Sequence, residues 1–381
     1  MKKIALMLMV AAMSFAACNN KNQEQKQDNM NQELTLTQEW DKVFPQSDKV
    51  DHRKVTFKNR YGITLAADMY TPKNAEGKLP AIAVSGPFGA VKEQSSGLYA
   101  QTLAEHGFIT IAFDPSFTGE SSGEPRYVSS PDINTEDFSA AVDFLSIQEN
   151  VDADRIGILG VCGWGGIALN AASIDPRIKA TVATTMYDMS RVSQNGYNDD
   201  GDSKEARTAM RKALAEQRLI DYRNGSYERA GGVIEDPTNA PWFIQQYHAY
   251  YKTPRGYHKR SLNSNEGWNK TSVLPWLNAG FLKFTSEIDN AVLILHGEKA
   301  HSRYFGITAY ENMTGEKVEG LTQDANLQPM NKPLSEPMII KHGNKQLYIV
   351  PNATHCDLYD GGEGNYIPFD YIERFYKENL K

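Results

Sequence analysis

One short stretch of this chain sets a nucleophilic side chain among neighbours that suit it. Residues 155–172 read RIGILGVCGWGGIALNAA. An apolar run of strand character leads straight into Gly160-Val161-Cys162-Gly163-Trp164-Gly165-Gly166, and helix-forming residues follow. A thiol on such a strand-to-helix turn stands above the sheet at a helix N-terminus. Small neighbours are needed because strand and helix pass close together there. The positive end of the helix favours the thiolate, the form in which cysteine attacks. A rival is Gly119-Glu120-Ser121-Ser122-Gly123, a literal G-x-S-x-G. It lies in a loop beyond its strand, and Pro125 stands where a helix should start. Ser121 therefore lacks the strand–turn–helix context that gives that motif its meaning.

The elements around this turn follow from hydrophobic patterning. Residues 79–85, 108–114, 155–161, 178–186, 291–296 and 346–350 are apolar runs suited to strands buried on both faces. Residues 55–70 read as two further strands about a Tyr61-Gly62 turn. Helices are expected over 93–106, 135–148, 165–173 and 369–380. The alternation predicts an α/β protein: a mostly parallel sheet covered by helices on both faces. It breaks at about 187 and resumes at about 290. The polar, aromatic and helix-prone segment between reads as a helical lid insertion, because strands of one sheet flank it. Residues 206–219 form one expected helix there. Trp242, Tyr247, Tyr250 and Tyr251 are its candidates to line a pocket.

The elbow-like turn resembles that of the α/β-hydrolase superfamily, and its Cys and glycine-rich continuation resemble the dienelactone-hydrolase-like branch. The usual motif has a small residue two places after the nucleophile. Trp164 stands there, so relief is expected from Gly163, Gly165 and Gly166. The resemblance covers roughly residues 50–381 and implies an α/β-hydrolase fold. It implies His355, in the loop between the last strand and the last helix, as the base. For the acid that orients His355 it implies Glu298, in His296-Gly297-Glu298-Lys299-Ala300-His301, with the usual Asp place falling on Ala300. Asp188 after the sixth strand is the alternative, and Asp357 a third. For the oxyanion hole it implies the N–H of Gly163 and one from Ser85-Gly86-Pro87-Phe88-Gly89-Ala90. Pro87 has no N–H, so Phe88 is favoured and Gly89 comes next.

The N-terminus carries a separate signal. Lys2 and Lys3 precede an apolar stretch ending in Phe15-Ala16-Ala17-Cys18. It resembles a bacterial lipoprotein signal, which implies removal of residues 1–17 and lipidation of Cys18. Residues 18–45 then read as a flexible, Asn/Gln-rich tether and 46–381 as the hydrolase domain. This places the protein at the bacterial cell envelope, lipid-anchored, on a periplasmic or outer surface. Two cysteines remain beyond Cys18. In an oxidising compartment a Cys162–Cys356 disulfide would disarm the site, but adjoining loop residues such as His355 and Cys356 should point in different directions.

A net charge of −7 over 381 residues, with no basic run, argues against a nucleic-acid partner. Phosphate-binding loops, dinucleotide fingerprints and zinc spacings are missing from the sequence, so neither cofactor nor metal is expected. The expected function is a hydrolase of a small-molecule ester, lactone or thioester, acting through a Cys nucleophile, a His base and an acyl-enzyme. A Ser-type or acyl-peptidase-like hydrolase of the same fold is the alternative. A third reading is an inactive binding lipoprotein that keeps the fold. Oligomeric state is left open by the sequence.

Overall fold

A computed structural model describes residues 34–73, 75–321 and 334–381. The expected signal segment, Cys18 and the first part of the tether lie outside the described residues. The apolar runs become the centre of a nine-stranded sheet in the order β1-β2-β4-β3-β5-β6-β7-β9-β8. Its strands are β1 Val50–Lys58, β2 Thr64–Pro72, β3 Leu79–Ser85, β4 Ile109–Phe113, β5 Val151–Val161, β6 Ile178–Thr184, β7 Ala291–Gly297, β8 Met338–His342 and β9 Lys345–Val350. β4 through β9 pair in parallel across the centre, with Ala83 opposite Ile111 on one side and Ile158 on the other. β1–β2, β2–β4 and β8–β9 are antiparallel. The sequence reading missed β8. It is a half-exposed edge strand whose apolar run, Met338-Ile339-Ile340, is too short to announce it.

The helices outside the insertion are α1 Ser95–Glu105, α2 Pro131–Ser146 and α3 Gly163–Ile174, then, after the three of the insertion, α7 Arg303–Thr314, α8 Asp357–Asp360 and α9 Phe369–Asn379. The crossover through α1 runs one way along the sheet, and those through α2 and α3 run the other. Right-handed crossovers therefore put α1 on one face and α2 with α3 on the other. α2 begins earlier than expected because Ser130 caps it, accepting from the Ile133 N–H at 3.3 Å, and Pro131 fits the first turn. Residues 185–290 leave the sheet between β6 and β7 as the expected insertion. They carry α4 Met189–Asn195, α5 Lys204–Asn224 and α6 Trp242–Tyr251.

The stretch 34–45, read as the end of a flexible tether, is instead docked on the domain. Phe44 is buried, the Thr37 N–H donates to Glu120 at 2.7 Å, and Lys42 pairs with buried Asp68 at 2.8 Å. Trp40 and Phe44, packed edge to face at 5.7 Å, are the apolar anchors that a solvated tether would lack. Nearby, Glu93, Asp114 and Glu120 converge on the ammonium of Lys92 at 2.7, 2.8 and 2.6 Å. Their charge is met by that lysine together with Lys54 and Arg260, and the pairs pin the segment following β3. No helix among the described residues is long and apolar enough to cross a membrane.

Candidate active site

β5 delivers Cys162 to the C-terminal edge of the sheet, and α3 starts at the next residue. Cys162 holds φ 58° and ψ −127°, a conformation that a non-glycine residue adopts only under constraint. Its N–H donates to the Thr184 carbonyl at 2.9 Å, and its carbonyl accepts from Gly165 and Tyr187. The turn is as tight as the residue types require. A Cβ on Gly160 would overlap the Trp164 carbonyl, and one on Gly166 would overlap the Tyr187 carbonyl.

Trp164 does not obstruct this turn. Its indole is buried edge-on between Phe113 and Phe138, with centroids at 5.5 and 5.3 Å. Gly86 admits it, since a Cβ there would stand 2.8 Å from that of Trp164. The expected relief from the glycines that follow Cys162 is therefore joined by Gly86 and Gly160 from the two strands beneath. Cys162 and Cys356 are both free thiols. Ser121 is structural: its hydroxyl donates to the Asp114 carbonyl at 2.6 Å and accepts from the Ala66 N–H at 2.9 Å.

Burial pushes the Cys162 thiol above its ordinary range, offset in part by hydrogen bonds from the Tyr359 hydroxyl and the N–H groups of Gly163 and Phe88. The resting group is thus a neutral thiol. The helix N-terminus alone does not produce the thiolate expected from the sequence, because desolvation opposes it. The two N–H groups are those picked out for the oxyanion hole. Gly89 serves differently. At φ 86° it turns the chain, and its carbonyl accepts from the Asn263 N–H and the Ser261 hydroxyl, both at 3.1 Å. Asn263 Nδ2 also donates to the Phe88 carbonyl at 2.9 Å. The insertion thereby holds the loop whose Phe88 N–H faces the thiol.

His355 is fully buried. Its Nε2 lies 2.9 Å from the Tyr359 hydroxyl, and its Nδ1 lies 2.8 Å from Thr185 Oγ1 and 2.7 Å from Ser302 Oγ. The Tyr359 hydroxyl thus bonds the imidazole on the cavity that Cys162 also lines, where it favours charge on the sulfur, and hydroxyls occupy the place of an acid. Burial drives the His355 pKa well below its usual value, and His301 and His296 add to the shift. Arg255 of the insertion pairs with Asp360 through two bonds of 2.7 Å, and Tyr99 donates to the Leu358 carbonyl at 2.8 Å. These bonds fix the short helix α8 that carries Tyr359.

The acids suggested by the sequence are engaged elsewhere. Glu298 accepts from the N–H groups of Leu334 and Asn352 at 2.9 and 2.8 Å, so from the loop after β7 it braces the segment before β8 and the loop after β9. Asp188 caps α4, accepting from the N–H groups of Ser190 and Arg191. Asp357 accepts from Thr354 at the start of α8. Each carboxylate is drawn to unsatisfied backbone donors at a loop or helix end. Among the described residues, none reaches His355. Thr185, Ser302 and Tyr359 were not foreseen. Tyr359 lies four residues after His355, a helical spacing that brings two side chains to one face. Thr185 holds φ 44°, another constrained residue beside the site.

A cavity of about 290 Å³ opens over Cys162. Tyr187, Tyr247, Tyr251, Trp268 and Tyr359 form much of its wall. Tyr247 and Tyr251 are the expected pocket aromatics that reach it, whereas Trp242 and Tyr250 are not part of its wall. His301 stands behind it, with Nε2 bonded to the Tyr187 hydroxyl and 3.3 Å from that of Tyr247. Burial pushes the His301 pKa down to about 3, so its imidazole is neutral.

A parallel sheet with a sharp elbow at the end of its fifth strand, a His after the last strand and a lid before the seventh define an α/β-hydrolase. Residues 61–317 match the family described as X-Pro dipeptidyl-peptidase (S15 family), and the chain belongs to that family. It is 52% identical over 352 residues to the uncharacterized protein PA2218 of Pseudomonas aeruginosa, covering 92% of this chain and 86% of that one. The crystal structure of PA2218 superposes with a TM-score of 0.81, covering 92% of this chain and all of that chain. The α/β-hydrolase GrgF of a Penicillium species shares the fold at a TM-score of 0.65 and 19% identity, over 87% of this chain and 99% of its own. A shorter match, 33% over 132 residues, links 35% of this chain to 41% of the thiohydrolase aneE of Aspergillus aculeatus.

Proposed function

We propose that this chain hydrolyses activated acyl compounds, thioesters and reactive esters or lactones, through an acyl-enzyme on Cys162. The observation that carries this reading is Cys162 on a strand-to-helix elbow at the floor of a cavity that Phe88 and Tyr359 also line, with the Tyr359 hydroxyl bonded to His355. The N–H groups of Gly163 and Phe88 and the Tyr359 hydroxyl favour negative charge on its sulfur. We assign Nε2 of His355 as the acceptor of the Tyr359 proton, with Nδ1–H donating to Thr185 or Ser302. The thiol proton then passes to Tyr359 as the Tyr359 proton passes to His355. Sulfur attacks the carbonyl carbon, and the developing oxyanion meets the two N–H groups. The imidazolium returns its proton to the leaving group, and water attacks the acyl-enzyme by the same route. Hydroxyls stabilise an imidazolium less than a carboxylate does, so the base is weak. A weak base suits a thiol, which is far more acidic than serine, and a substrate whose leaving group departs easily.

The thiohydrolase match supports the thioester side of this reading, and the dienelactone-hydrolase-like elbow supports the ester and lactone side. Incubation with a slowly hydrolysed thioester should add one acyl mass to the intact protein, mapping by peptide to Cys162. An adduct on another residue, or none while turnover proceeds, would overturn the assignment. The family match favours one second reading, an acyl-peptidase of the same fold, for which a panel of acylated peptides should give turnover independent of Cys162.

We also propose that lipid on Cys18 anchors the domain at the cell envelope, as its signal sequence suggests. Cys18→Ala should move the protein from the membrane fraction to the soluble fraction. Unchanged fractionation would count against the anchor.

A further inference from the structure

We infer that the cavity over Cys162 selects an uncharged, apolar acyl group and rejects the free ammonium of an X-Pro dipeptide; this rests on the acyl-enzyme reading of Cys162. No Asp, Glu, Lys or Arg lines the cavity. Met189, Val192, Val233, Ile234 and Ile244 join its aromatic wall, and the insertion supplies most of them. Most of the wall's polar groups are already partnered, and the Tyr251 hydroxyl, buried without a hydrogen-bond partner among the described residues, is uncharged, burial raising its pKa well above its ordinary value. The Tyr187 and Tyr247 hydroxyls bond each other at 2.9 Å as well as His301, the Tyr359 hydroxyl bonds His355, and the Asn263 amide bonds the Phe88 carbonyl.

Acids next to the wall in sequence are committed elsewhere. Asp188, between Tyr187 and Met189, caps α4. Glu235, beside Ile234, pairs with Lys252 at 2.5 Å, and Glu266, beside Gly267, pairs with Arg229 at 3.5 Å. A substrate ammonium would leave water with no anion to receive it, which is strongly unfavourable. An alkyl or aryl chain meets mostly carbon, with uncharged tyrosine hydroxyls and the Asn263 amide as the polar exceptions. The volume holds about ten heavy atoms at roughly 30 Å³ each, the share of a water molecule in the liquid.

The test is a series of N-acetylcysteamine thioesters that differ only in the acyl group, from acetyl to dodecanoyl, assayed on the full chain. kcat/KM should rise about three- to fourfold per methylene, then stop rising near eight to ten carbons. The 7-aminoheptanoyl thioester, equal in length to octanoyl but ending in an ammonium, should fall at least about a hundredfold below it. Ile244→Trp should move the optimum to shorter chains. A flat series, or an aminoacyl thioester equal to octanoyl, with the acyl group still found on Cys162, would overturn the selectivity while leaving the acyl-enzyme reading intact. Turnover without any acyl group on Cys162 would overturn the reading beneath it, and the inference with it.

Discussion

Replacing Cys162 by alanine is expected to lower kcat/KM for an aryl ester or thioester by at least about a thousandfold, roughly 4 kcal/mol of transition-state stabilisation. The reason is local. The two N–H groups and the tyrosine hydroxyl favour negative charge on this sulfur, so without it they act on no bond-forming atom. The fold should barely register the change. Alanine fits the positive φ no worse than cysteine, and losing one buried sulfur should shift the melting temperature by only about 2–4 °C in a domain of this size. Steady-state kinetics alongside a thermal melt separate the two effects. Cys162→Ser is the sharper comparison. A serine hydroxyl needs a stronger base than a buried imidazole whose Nδ1 faces only Thr185 and Ser302. Its rate should also fall, by at least about a hundredfold. A serine variant as active as the parent would refute the weak-base account. An active alanine variant would refute the nucleophile itself.

The sheet was legible in the sequence because its central strands are buried on both faces, and such strands are written as unbroken apolar runs. β3, β4, β5, β6, β7 and β9 all carry one. β8 was not legible, since this edge strand is short, has three apolar residues followed by Lys341 and His342, and buries none of them fully. The docking of residues 34–45 was hidden by composition. Two aromatic anchors and one buried lysine pair outweigh a polar neighbourhood, and averaged hydropathy does not register three residues.

The site was half legible for a similar reason. Cys162 and His355 stand out because backbone geometry dictates their surroundings: a glycine-rich turn for one, the loop after the last strand for the other. The partners of His355 carry no such mark. Thr185 and Ser302 are ordinary residues in any composition, and only the folded chain brings both to one imidazole nitrogen. The acids that the sequence offers, Glu298, Asp188 and Asp357, each satisfy backbone donors instead. Ala300, which fills the expected acid position, signals only that no carboxylate comes from there; the hydroxyls that take its place appear in the folded chain alone.

Tyr359→Phe is expected to cost about a hundred- to a thousandfold in kcat/KM at neutral pH and to change the shape of the pH profile. In the parent, the burial that depresses the His355 pKa well below 6.5 keeps its acceptor nitrogen free of protons at neutral pH. Its protonation limb therefore lies far on the acid side. The burial that raises the Cys162 pKa keeps the thiol protonated through neutral pH. Between these limits the thiol–tyrosine–imidazole chain holds the same protons, so the rate should be flat. With phenylalanine at 359 the imidazole no longer reaches the thiol. Attack then waits on thiolate formed by exchange with solvent, and the rate should climb about tenfold per pH unit toward the raised thiol pKa. The deficit would shrink as pH rises. A tyrosine that only packs would lower the rate evenly at every pH, so a parallel profile would refute the relay. His355→Ala should reproduce the same slope. Adding Tyr359→Phe to it should cost little more, because two members of one proton path fail together rather than separately.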